Sequence, residues 1–184
     1  MIAVIVIAAV LVLILIWGIC VFNTLIRLRS NVDESFSTMD IYMKKRYDVI
    51  PNLVETVKGY TKHENETLEG VMKARYSCMN ASNSKERIAG ENALTHTLGR
   101  LFKVTENYPE LQANKSFMDL QSTLKSLEEE VANSRKYYNG CVKKYNNKVM
   151  TFPPCIIASI FKFKKRSLFE LDNVEERKTP KVQF

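Results

Sequence analysis

Few residues in this chain could perform covalent or metal chemistry: two histidines and four cysteines among 184 residues. His63 stands in Lys62-His63-Glu64-Asn65-Glu66, which opens like the H-E-x-x-H helix of zinc hydrolases but lacks the second histidine, so no ligand set is completed. His96, between Thr95 and Thr97, does not supply it. Cys20, Cys78, Cys141 and Cys155 form no C-x-x-C pair, which points away from thiolate metal sites and disulfide frameworks and toward a reducing compartment. Nucleophilic catalysis needs a base held beside a serine or cysteine, and neither a nucleophile elbow nor a glycine-rich phosphate loop is present. Glu128-Glu129-Glu130 gathers carboxylates, but consecutive helical residues fan out over different faces, so the run reads as a solvated helix face. No catalytic residue, metal or cofactor is expected.

Charge is concentrated late in the chain. Between Glu130 and Glu170 there is no acidic residue, whereas Arg135, Lys136, Lys143, Lys144, Lys148, Lys162, Lys164, Lys165 and Arg166 are all basic, against a net charge of +7 for the whole chain. The basic run with Tyr138 and Tyr145 raises nucleic-acid binding as an alternative, but both tyrosines fall on an apolar seam and are needed as core, so no nucleic acid is expected. After Pro154, Ile156, Ile160, Phe161 and Phe163 alternate with Lys162, Lys164, Lys165 and Arg166, a mixture suited to lying on an anionic lipid surface.

The elements that must position these residues are helices. From Ile2 to Phe22 the chain is apolar apart from Gly18, long enough for a bilayer core of about 30 Å. Trp17 lies near the end of this span, and Arg27 and Arg29 follow it, so the N-terminus is expected outside and the remainder in the cytoplasm, at the inner membrane. Leu25, Leu28, Val32, Met39 and Met43 continue the helix, and Pro51 suggests a turn or sharp kink near residues 48–51. A second helix follows through Leu53, Val57, Leu68 and Met72, and a third runs from Ile88 to Val104. The fourth is the clearest, with Phe117, Leu120, Leu124, Leu127, Val131, Tyr138, Val142 and Tyr145 on a heptad seam. The expectation is an all-α protein: an anchor over 1–24, an antiparallel up-and-down four-helix bundle over 25–151, and a basic, apolar segment over 152–184. If Pro51 only kinks the chain, the bundle becomes three-stranded with one very long first helix.

Several of these stretches resemble the LemA family of bacterial membrane-anchored proteins. The resemblance runs through Arg27-Leu28-Arg29, Arg46-Tyr47-Asp48-Val49-Ile50-Pro51-Asn52-Leu53-Val54, Tyr60, His63-Glu64, Glu106-Asn107-Tyr108-Pro109-Glu110-Leu111, Asn114, Tyr138-Asn139 and Tyr145-Asn146. It implies an N-terminal anchor, a helical bundle and no established catalytic activity. Within these motifs Asp48 and Asn52, and Glu106 and Asn114, are candidates to cap helix junctions around Pro51 and Pro109. The expected role is a structural or adaptor protein that presents helix faces to an unidentified membrane or cytoplasmic protein, or to a second copy. A hydrolase using His63 is the weakest alternative.

Overall fold

The computed structural model describes residues 1–169; the remainder of the expected C-terminal segment, 170–184, lies outside them. Among the described residues the chain is all helical: α1 (Ile2–Lys58), α2 (Asn65–Met79), α3 (Ser84–Thr105), α4 (Pro109–Gln112), α5 (Lys115–Met150) and α6 (Pro154–Ile160). By their contacts the described residues group into two compact units, 1–41 with 131–168, and 42–130 with Phe169.

In the first unit, the N-terminal part of α1 is long and apolar enough to cross a membrane, and its side chains are bare, with Ile2 81% and Leu11 61% exposed. Burial begins at Val21 and Leu25, which pack with Ala158 of α6 and, at the edges, Val149, Ile157 and Phe163. Further along, Phe36 meets the ring of Tyr138 edge-on at 5.7 Å. Lys162, at φ 55°, ends α6 in a left-handed turn. Its N–H donates to Ser159 O and that of Phe163 to Ala158 O, the paired bonds of a Schellman cap. The cap sends the chain back along α5.

In the second unit, α2 and α3 form a hairpin. Asn83 caps α3 by accepting from the Glu86 N–H at 2.9 Å, while a Glu86 carboxylate oxygen accepts from Ser82 N–H. Leu68, Val71, Ala74 and Cys78 are the buried face of α2. Gly90 of α3 sits so near Cys78 that a Cβ there would lie 3.1 Å from the sulfur and 3.2 Å from the backbone nitrogen, so glycine is what permits this approach.

The turn expected at 48–51 is absent, because Pro51 lies inside an unbroken α1 and the chain turns instead at 59–64. A proline in a helix leaves the carbonyl four residues earlier without its partner. That carbonyl, Tyr47 O, accepts a 2.7 Å hydrogen bond from Arg75 Nε of α2. With the orphaned acceptor satisfied and Ile50, Leu53 and Val57 continuing the buried stripe, the helix persists.

Candidate functional site

The second unit holds a buried ionic cluster at its centre. Arg46 and Glu91 are both wholly buried. The guanidinium reaches Glu91 through Nη2 and Glu128 Oε1, at 2.7 Å, through Nη1. Tyr47 donates its hydroxyl proton to the other oxygen of Glu91. Cys78 borders the group and is fully buried. Burial, followed by the negative charge of Glu91, pushes the Cys78 thiol up to about 12 and raises the Tyr47 phenol beyond its ordinary range. Both groups therefore stay protonated at neutral pH, and neither is exposed to a substrate. The cluster ties α1, α3 and α5 together; it is built for cohesion, not nucleophilic attack.

Two of its members, Arg46 and Glu91, belong to no chemistry-bearing motif, yet their positions are visible in the sequence. Arg46 falls in phase with Met39, Met43, Ile50, Leu53 and Val57, and Glu91 lies three residues before Leu94 on the stripe Leu94, Leu98, Leu101. A charge on the apolar seam of one helix and an opposite charge on that of another is the signature that periodicity offered. Glu128 corrects the reading of its acidic run as merely solvated, since it pairs with Arg46; Glu129 and Glu130 are exposed.

At another place in the same unit, the loops 59–64 and 106–114 are joined. Asn114 Nδ2 donates to the Tyr60 hydroxyl at 2.8 Å, and the Tyr108 hydroxyl donates to Glu64 Oε1 at 3.3 Å. Asn114 also caps α5, its Oδ1 accepting from Phe117 N–H. His63, Glu106 and Pro109 are exposed beside these contacts. Asp48 and Asn52 are not junction residues: they lie exposed on α1, where no break needs a cap, and Pro51 is half-buried. His63 and His96 are exposed, and among the described residues no group of three or more His, Cys, Asp or Glu could hold a metal ion.

Along α5, Phe117, Leu124, Val131, Tyr138, Val142 and Tyr145 are buried, while Leu120 and Leu127 are half-buried. The hydroxyl of Tyr138 donates to Ser167 O and that of Tyr145 to Lys164 O, each at 3.0 Å; Asn146 clasps Arg166 through both its backbone N–H and carbonyl. Residues 161–167 thus form a strap on α5. This corrects the lipid-facing reading for Phe163, which packs beside Val21 and Leu25; Arg166 stays exposed, with its guanidinium 2.8 Å from Asp33. Phe161, Lys162, Lys164 and Lys165 remain exposed, and Phe22 is half-buried with its ring 4.6 Å from that of Phe161. At the membrane end Ile2, Trp17, Arg27 and Arg29 are exposed.

Comparison with known proteins gives a consistent picture. A stretch covering 83% of this chain is 24% identical to Protein LemA of Metamycoplasma hominis and spans 70% of that protein. Magnetosome protein MamQ 2 of Paramagnetospirillum magneticum is 20% identical across 81% of this chain, which spans 64% of that relative's length. Magnetosome protein MamQ of Magnetospirillum gryphiswaldense is 26% identical over 46% of the chain and 31% of its own. None of these names carries an enzymatic activity. The LemA family model matches residues 35–184, a range that takes in the buried cluster, the joined loops and the strap, and the chain belongs to the LemA family.

Proposed function

We propose that this protein is a non-catalytic scaffold, held by one span in the inner membrane, whose cytoplasmic helices dock a partner protein or a second copy of the chain. The observation that supports this most is the use to which the polar residues of the central motifs are put. Arg46, Tyr47, Glu91 and Glu128 pair with one another, and Tyr60, Glu64, Tyr108 and Asn114 fasten two loops together. Groups spent on mutual pairing shape a surface in advance and do not turn over a substrate. The joined loops, with His63, Glu106 and Pro109 exposed on rigid helix ends, are the docking surface in this reading. Arg27 and Arg29 after the apolar run favour the cytoplasmic side for it.

A photo-crosslinking residue at position 63 or 106, irradiated in intact membranes, is expected to give discrete protein adducts, whether with another protein or between copies. The same residue at Tyr137, an exposed position of α5 away from these loops in the chain, is expected to give none. A equal, diffuse pattern from all three positions would remove the joined loops as a docking surface. A hydrolytic activity lost on His63→Ala would remove the non-catalytic reading.

A further inference from the structure

Where α1 leaves its apolar stretch, a cleft of about 620 Å³ opens beside the last turns of α5 and the turn into α6. One wall is Trp17, Val21 and Leu28 of α1, and another carries Lys144, Asn147 and Lys148 of α5. Lys144 and Lys148 are four residues apart and share a helix face. Among the described residues, no carboxylate lines the cleft. Its level along α1 is fixed by packing: Val149, next to Lys148, lies against Val21 and Leu25, so the lysines stand where the apolar run gives way to Arg27.

We propose that this cleft binds an anionic phospholipid, with the lysines and Asn147 on the headgroup phosphate and the glycerol and upper acyl chain along Trp17, Val21 and Leu28. A soluble phosphate ion would use the basic wall and leave the apolar one wet. A zwitterionic lipid would use the apolar wall and bring its own cation to the two ammonium groups. An anionic lipid satisfies both walls at once, at the depth where bilayer lipids carry their phosphates. From Trp17 to Leu28 the helix rises about 16 Å, longer than a headgroup alone. Trp17 is 38% exposed, which leaves that end of the cleft open to surrounding lipid. The site rests on the membrane span and differs from the strap, whose exposed lysines are Lys162, Lys164 and Lys165.

Trp17 is the single tryptophan of the chain, so the protein contains its own reporter. The full chain, reconstituted in phosphatidylcholine bilayers, receives equal mole fractions of brominated phosphatidylglycerol or brominated phosphatidylcholine, and quenching of Trp17 fluorescence is compared. Phosphatidylglycerol is expected to occupy the site about five-fold or more in preference to phosphatidylcholine, since each lysine near the phosphate favours it by a factor of about five. The double variant Lys144→Gln, Lys148→Gln should bring the two lipids to parity with unchanged helicity. The triple variant Lys162→Gln, Lys164→Gln, Lys165→Gln removes more charge and should keep the preference. Parity in the unaltered chain overturns the proposal, and so does an equal loss in the triple variant, which would mark a diffuse attraction to basic surface. Relief of quenching by millimolar inorganic phosphate at constant ionic strength would assign the cleft to a soluble anion instead. Quenching by neither lipid would overturn the membrane span itself, a result separable from mere loss of selectivity.

Discussion

Arg46 is a charge placed where the neighbouring turns of α1 place Met43 and Ile50, and it is tolerated because two carboxylates and a phenol surround it. Removing one partner leaves the other buried without a counter-charge, a change that costs about 3–5 kcal/mol, whereas replacing both with apolar groups of similar volume is often neutral. Arg46→Met is therefore expected to lower the thermal midpoint of the full chain in detergent sharply, and Arg46→Met with Glu91→Leu to recover most of it. Additive losses would show that the two side chains do not act as a pair. Cys78 gives a second measurement at the same place. Its thiol ordinarily ionises near 9 and is held up to about 12, so the unfolded chain releases this proton first as pH rises. Stability is then full below pH 9 and declines on the way to 12, with Tyr47 acting in the same direction. Melting temperature measured from pH 8 to 11.5 should fall, and fall less steeply in Cys78→Ala. An identical slope in the variant would remove Cys78 from this account.

Among the elements, α1 shows how tertiary structure overrides a local signal. Proline is a helix breaker by its own chemistry, since residue 51 has no N–H to offer Tyr47 O; a donor comes instead from Arg75, 28 residues from Tyr47 in sequence. Periodicity could place the stripes of α1, α3 and α5, because it depends on neighbours in the chain. It could not place that hydrogen bond, and so the turn was expected near 48–51 and not at 59–64. The same limit hid the ion pair, whose members were in phase with apolar stripes but whose meeting depends on which stripes face each other. A double-mutant cycle tests the explanation for α1. Arg75→Leu should destabilise the chain by about 1–3 kcal/mol by leaving a buried carbonyl unpaired. In a Pro51→Ala background, where residue 51 regains an N–H that can reach Tyr47 O, the same change should cost measurably less. Equal costs in both backgrounds would mean that Arg75 stabilises the fold through some other contact.

For the whole molecule, the orientation proposed from Arg27 and Arg29 is open to test, and the thiols provide a clean assay. Cys78 is buried and protonated at neutral pH, so it can stay in place while Cys20, Cys141 and Cys155 are replaced. With the bundle in the cytoplasm, an impermeant maleimide added to intact cells should label Ala3→Cys and leave His63→Cys unlabelled until the cells are opened. Labelling at 63 from outside would invert the topology. The anchor and the all-helical composition could be read directly from hydropathy and seam spacing. The strap could not, since a basic, aromatic stretch after a helix carries no local sign of the surface on which it will lie. Its attachment has a further property. Tyr138, Tyr145 and Asn146 grip the backbone of residues 164–167, and a grip on backbone is indifferent to the side chains that ride on it. Lys164, Lys165 and Ser167 can therefore drift in charge and size over evolutionary time without unseating the segment, so this edge of the protein can be retuned while the helices beneath it are left alone.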